Sequence, residues 1–276
     1  MPALYVLLAV VAGVRMPSYG IIGNPVSNSL SPRLHADFFW RYGIDGDYSR
    51  FSVRDISKAI SALRSLGIAG ANVTMPYKEE IIPFLNKLSP EAKAIGAVNT
   101  IAIDEATGEA TGYNTDWYGF AKSLLLSGIS ISGMRFAVCG HGGASRAVCY
   151  ALEKYSAKQV MTFSTSGNGL SYDQMESIGN FDAVINCTPL GSYANKEKSP
   201  IKQECLTKYR IAVDLHYGQD TLFIKQAKEM GLQTIDGLPM LVFQGAKSFE
   251  IWHGITINNE DCSEICSQLS CFFSEI

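Results

Sequence analysis

The sequence has almost no net charge: 23 Lys and Arg stand against 26 Asp and Glu, a formal charge of −3 over 276 residues. That balance excludes a general nucleic-acid or anionic-membrane binder, which needs a clear basic surplus. Paired cysteines are also lacking. The seven (Cys139, Cys149, Cys187, Cys205, Cys262, Cys266 and Cys271) form neither a C-x-x-C pair nor a Cys/His cluster at zinc spacing, so no metal site is expected. An odd number of unframed thiols points to a reducing cytoplasm. There are no repeats or low-complexity tracts, and with 47% hydrophobic and 18% charged residues the chain can build a core.

No apolar run is long enough to cross a bilayer, so no membrane partner is expected. The stretch 3–14 (ALYVLLAVVAGV) is signal-like in length, but only Met1 and Pro2 precede it and Arg15 follows, the reverse of the charge order that export needs. Two other readings stand beside export: an added strand or helix, or an upstream start with Met16 as the working one.

Along the rest of the chain, short apolar runs alternate with segments of helical period, which favours βαβ units and a mainly parallel sheet. The expected elements are a strand at 19–22, a helix opened by Ser31-Pro32, a strand at 48–53, a helix at 55–66, a strand at 71–75, helices after Pro76 and from about Pro90, and a strand at 97–103. A second unit begins near Thr115: a helix to about Leu126, strands at 136–139, 159–163, 182–186 and 211–214, and helices to Tyr155 and over 221–230. Helical period returns at 238–252, and 263–273 is read as a last helix returning to the first lobe. The fold class is α/β in two lobes: a discontinuous domain of 1–115 with 236–276, and a Rossmann-like domain of 116–235.

The sequence Gly140-His141-Gly142-Gly143-Ala144-Ser145 lies between a buried-type strand and an apolar helix. A dinucleotide turn needs one glycine for the tight bend and another so that the backbone can approach the pyrophosphate, after which the helix N-terminus supplies N–H donors. Gly140 and Gly142 meet these needs, while Ser145 replaces the third glycine; a glycine turn without a ligand reads the same way here. At the end of the next strand an acid would hold a ribose hydroxyl and an Arg a 2′-phosphate. The chain has neither, only Ser164-Thr165-Ser166-Gly167-Asn168. Arg146 is the nearest cation, either a phosphate contact or a solvated helix residue.

Polar residues gather where the first lobe's strands end. Ser27, Asn28, Ser29 and Ser31 exceed what one helix cap needs and suit a carboxylate. Thr74 and Lys78 flank Pro76; Lys78, in a helix's first turn, would sit against the dipole, or it is a plain surface lysine. Asn99 follows Ala97-Val98, and Asp116 closes Tyr113-Asn114-Thr115-Asp116, where it also reads as a helix cap. An amine and a carboxylate in one cleft can share proton transfer at a substrate hydroxyl.

Six segments in order, GNPVSNSLSP (23–32), GANVTMPYKEE (70–80), GAVNTI (96–101), GYNTD (112–116), GHGGASRA (140–147) and DGLPMLVFQGA (236–246), resemble the shikimate dehydrogenases over nearly the whole chain from Tyr19. The resemblance implies reversible reduction of 3-dehydroshikimate to shikimate, a step toward aromatic amino acids. NADP is the implied cofactor, with NAD open because the 2′-phosphate Arg is missing. It implies a catalytic pair Lys78 and Asp116, with Ser29, Ser31, Thr74, Asn99, Tyr217 and Gln244 also holding substrate. The cofactor would be held by Gly140, His141, Gly142, Gly143, Ala144, Ser164, Thr165, Leu215 and Gly237. Hydride would pass between nicotinamide C4 and substrate C3, and the enzyme would be a cytoplasmic monomer or homodimer.

The chain departs from the family pattern at Ser29-Leu30-Ser31, a form also seen in quinate/shikimate dehydrogenases that use NAD, and at Trp117 and His141. A quinate/shikimate or shikimate dehydrogenase-like paralogue is therefore the second reading. A non-catalytic nucleotide-sensing module is the third, opposed by the joint presence of Lys78, Asn99, Asp116 and Gln244.

Overall fold

The structure, a computed structural model, describes residues 16–165, 167, 169–177, 179–192 and 195–274. The apolar segment at 3–14 lies outside these residues, as do Ser166 and Asn168 of the 2′ segment. The chain divides into two compact units. One runs to Lys93 and adds Val98–Tyr113 and Ser248–Ile255; the other comprises Ala94–Ala97, Asn114–Lys247 and Thr256–Ile276.

The first unit is built on a sheet of six strands: β1 (Ser18–Gly23), β2 (Asp47–Ser52), β3 (Ile68–Val73), β4 (Lys87–Leu88), β5 (Thr100–Ile103) and β6 (Ala110–Tyr113), in the order β2-β1-β3-β5-β6-β4. β1 pairs in parallel with β2 and β3, and β4 with β6, while β5 runs antiparallel to both neighbours. One strand thus departs from the expected parallel run, because β5 and β6 are joined by a short turn at 104–109 rather than by a crossover helix. Helix α1 (Ser31–Tyr42) has Pro32 in its first turn, ends on left-handed Gly43, and buries Leu34, His35, Phe38 and Phe39. Helix α2 (Ala59–Leu66) follows a 3₁₀ turn capped by Asp55 and buries Ala59, Ile60 and Leu63 against a core that includes Ile22, Ala71, Val73 and Ile101.

The expected helix after Pro76 is not formed. Successive turns carry the chain from Met75 to Ile81, and a 3₁₀ turn, Ile82–Phe84, completes them. Pro83 explains the difference: in a helix starting at Pro76 its missing N–H and its ring would fall on the carbonyl of Glu79. Helix α3 (Pro90–Ile95) does form, and the strand expected from 97 begins only at Thr100.

The second unit carries five parallel strands, β7 (Arg135–Cys139), β8 (Gln159–Phe163), β9 (Ala183–Asn186), β10 (Ile211–Asp214) and β11 (Gln233–Ile235), in the order β11-β10-β9-β7-β8. Its helices are α4 (Asp116–Leu126), α5 (Gly143–Lys154), α6 (Leu222–Glu229), α7 (Leu238–His253) and α8 (Asn259–Ser274). From β7 the chain winds outward to β8 and then crosses back to β9 on the other side. The carboxyl ends of β7 and β9 therefore form a topological switch point, where ligands of open α/β sheets bind.

Several boundaries differ from the sequence reading: residues 94–97 and 114–115, read there with the first lobe, fall in the second unit. The return to the first unit is confined to Ser248–Ile255, the end of α7 and the residues after it, instead of starting at 236. The last helix stays with the second unit: Lys122 Nζ donates to Asn259 Oδ1 at 3.2 Å, and the Phe273 ring lies 6.3 Å from that of Tyr217.

Candidate active site

In the first unit the candidate residues stand at the carboxyl ends of β1 and β3 and just before β5. Ser29 Oγ accepts from the Ser31 N–H at 3.2 Å and donates to Ser31 Oγ at 3.1 Å, so one serine orders the other at the start of α1. Nothing in the sequence pattern points to Arg50, whose Nη2 and Nε donate to the Ser29 carbonyl at 2.6 and 3.2 Å, fixing that loop and bringing a cation to it. Ser31 is buried and Ser29 half-buried. Beside them, burial holds the Tyr48 hydroxyl well above its ordinary pKa, with a smaller opposing effect from Ser31.

Thr74 and Lys78 belong to the turns after β3. The Thr74 N–H donates to the Ile22 carbonyl at 2.9 Å, its own carbonyl accepts from Tyr77, and the Lys78 carbonyl accepts from Val98 at 2.7 Å. Because no helix forms there, the dipole penalty expected for Lys78 does not arise. The Asn99 backbone is held on both sides, donating to Tyr113 at 3.0 Å and accepting from Val73 at 2.8 Å. Asn72, another residue the sequence reading passed over, donates from Nδ2 to the Asn99 carbonyl (3.1 Å), Thr100 Oγ1 (3.2 Å) and Ser248 Oγ (3.0 Å).

In the second unit Asp116 is the first residue of α4, one position inside the cap, and it is 4% exposed. Asn114 anchors it: Oδ1 accepts from the Asp116 N–H at 3.1 Å and Nδ2 donates to the Ala97 carbonyl at 2.9 Å. A carboxylate in the first turn also suits the helix dipole. Gln244 lies on α7, its Nε2 donating to the Leu241 carbonyl at 2.8 Å, and Tyr217 is half-buried after β10.

Gly140 ends β7 with φ +116°, and a Cβ there would come 3.0 Å from the Cys187 carbonyl oxygen, so only glycine fits. Ser145, in the third glycine's place, donates to the Gly140 carbonyl at 2.8 Å and closes the turn from behind. Arg146 spends Nε and Nη2 on the Ile95 and Gly96 carbonyls at 3.0 and 3.2 Å. His141 and Gly142 are exposed, Gly143 and Ala144 half-buried, and a Cβ on Gly142 would meet nothing within 4 Å. Open space thus faces the N-terminus of a twelve-residue helix at the switch point, which fits a pyrophosphate. At the 2′ position Ser164 is buried and Thr165 exposed, with no cation in that segment.

Leu215 follows a carboxylate that the sequence reading did not single out. Asp214 is fully buried; Oδ1 accepts from the His216 N–H (3.0 Å), His216 Nδ1 (2.7 Å) and Asn186 Nδ2 (3.2 Å), and Oδ2 from Thr221 Oγ1 (2.6 Å). This knits the 214–221 loop. The Gly237 N–H donates to the His216 carbonyl at 2.8 Å, and a Cβ on Gly237 would run into the Leu215 carbonyl, so the two expected cofactor residues are neighbours.

Residues 21–101 match the family model of the shikimate dehydrogenase substrate binding domain, and residues 237–261 that of the shikimate 5'-dehydrogenase C-terminal domain. The shikimate dehydrogenase (NADP(+)) of Clostridium perfringens is 41% identical over 273 residues, covering 94% of this chain and all of the relative. The chain belongs to the shikimate dehydrogenase family. Among solved members, shikimate dehydrogenase 1 from Peptoclostridium difficile superposes with a TM-score of 0.87 at 35% identity, covering 94% of this chain and 99% of that one. The Thermus thermophilus shikimate 5-dehydrogenase, in complex with NADP(H) and shikimate, gives 0.81 at 32% identity, covering 92% and 99%. Membership in the shikimate dehydrogenase family covers the fold of both units, and Ser29, Lys78 and Asn99 fall within the substrate-domain match.

Proposed function

We propose that this chain catalyses the reversible NADP-linked reduction of 3-dehydroshikimate to shikimate. The observation that carries the reading is likeness over 94% of the chain to a shikimate dehydrogenase (NADP(+)), in a chain that keeps both the polar set around Asn99 and the open glycine turn. On this reading the second unit takes the dinucleotide. Ser29 and Ser31 hold the carboxylate, while Thr74, Asn99, Tyr217 and Gln244 hold the remaining polar groups. Lys78 exchanges the proton of the reacting hydroxyl, and Asp116 orients lysine and hydroxyl together. When bound, the nicotinamide supplies or takes up the hydride. Gly140, His141, Gly142, Gly143 and Ala144 receive the pyrophosphate, Ser164 and Thr165 the adenosine ribose, and Leu215 and Gly237 the nicotinamide end. None of the seven cysteines is in a disulfide among the described residues, which supports work in a reducing cytoplasm; the enzyme works as a monomer or homodimer.

The neutral Ser164-Thr165 pair and Ser29-Leu30-Ser31 favour a second reading, a quinate/shikimate dehydrogenase with NAD use. Following reduced-nicotinamide absorbance with shikimate or quinate, each with NADP+ and NAD+, separates the two. The first reading expects the highest kcat/KM for shikimate with NADP+; no turnover in any combination would leave a nucleotide sensor.

A further inference from the structure

Thr100, Ser248 and Asn72 form a buried polar chain that touches Asn99, and none of the three has been given a role in the reaction. Thr100 and Ser248 are fully buried and Asn72 is 5% exposed. The Tyr48 hydroxyl donates to Asn72 Oδ1 at 2.7 Å, which fixes the sense of that amide and turns its Nδ2 toward Thr100 and Ser248. The two hydroxyls lie 2.8 Å apart, and Thr100 Oγ1 donates to Asn99 Oδ1 at 3.1 Å. A hydroxyl has one proton to give. If Thr100 gives its proton to Asn99, it receives from Asn72 and Ser248, and Ser248 in turn receives from Asn72.

We infer that Thr100, supported by Ser248 and Asn72, is a positioning residue that locks the Asn99 amide with Oδ1 turned inward and Nδ2 presented as a donor to a substrate oxygen. This inference rests on the reading of Asn99 as a substrate contact. Its consequence is selective: the site requires an acceptor at that position of the substrate, and an amide free to flip would present donor and acceptor alike.

The test is Thr100→Val, which keeps the shape and removes the hydroxyl. The expected result is a rise of about tenfold in KM for shikimate, the upper end for one net hydrogen bond, with kcat and KM for NADP+ changed less than about twofold. Thr100→Ser should restore KM to within about threefold. In an Asn99→Ala background Thr100→Val should add nothing further, because the group it orients is gone. Full additivity there, or a normal KM in folded Thr100→Val, overturns the inference. Should Thr100→Val fail to fold, Ser248→Ala replaces it, with a smaller rise in the same direction expected and an unchanged KM counting against the proposal. Shikimate affinity by calorimetry reads the same series without turnover. A chain that binds shikimate but does not reduce NADP+ would fail the catalytic reading alone, whereas unchanged affinity in Asn99→Ala would overturn this inference.

Discussion

Asp214 shows how a single side chain shapes the second unit. A fully buried carboxylate is tolerated only when donors surround it, and four hydrogen bonds reach its two oxygens. Asp214→Ala strands those donors in a dry interior, so urea unfolding should show a loss of about 3 kcal/mol. On the proposed mechanism Lys78→Ala should abolish turnover while NADP+ affinity by fluorescence titration changes little; near-normal turnover would remove the lysine from the chemistry. The sequence offers Lys78 as a helix residue, and Pro83, five positions on, decides otherwise. Ser145 is legible there only as a missing glycine. Its hydrogen bond to Gly140 shows that this position carries a tie within the turn.

At the scale of elements, the β7–α5 turn separates two kinds of glycine. Gly140 has φ +116° and the Cys187 carbonyl beside it, so Gly140→Ala should cost about 1–3 kcal/mol of stability in a melting or urea experiment. Gly142 has extended backbone and open space in front. Gly142→Ala should therefore leave stability within about 0.5 kcal/mol and raise KM for NADP+ by about tenfold or more, because the methyl occupies the place of a phosphate. Equal effects of the two substitutions on stability would contradict this division. Elements such as α1, α4, β8 and β10 are legible in the sequence because their helical period or continuous apolar run is local. The strands β4, β6 and β11 (KL, ATGY and QTI) are not, since none carries a continuous apolar run and each is set by its pairing with a non-local partner.

Across the whole molecule, the clearest pH signature comes from His35. Its ring is fully buried, stacked on Tyr48 at 4.3 Å and packed near Phe249 and Trp252, and neither ring nitrogen finds a hydrogen-bond partner among the described residues. Burial lowers its pKa from 6.5 to about 3, against a smaller opposing pull from Asn72. Below pH 6.5 the unfolded chain binds a proton that the folded chain refuses. Stability should therefore fall as pH drops from 6.5 toward 3, at up to about 1.4 kcal/mol per pH unit, and should be flat in this term above pH 7. His253, lowered by burial as well, adds in the same direction. The unfolding free energy of the parent should fall relative to that of His35→Phe as pH drops over this range; parallel curves would show that His35 titrates alike in the folded and unfolded chains.

What the sequence by itself determined is what depends on short stretches of chain: the α/β class, two units, the glycine turn between strand and helix, and the family's ordered segments. What only the tertiary structure decided depends on partners distant in sequence. Ser248 reaches Asn72 and Thr100 across the fold. Arg50 grips the Ser29 loop, and Arg146 donates to carbonyls at the end of α3 and just after it. The last helix lies with the second unit instead of the first. Backbone propensity and hydrophobic period act over one or two turns, whereas a buried hydrogen bond is settled by whichever donor and acceptor the fold shuts away from water together.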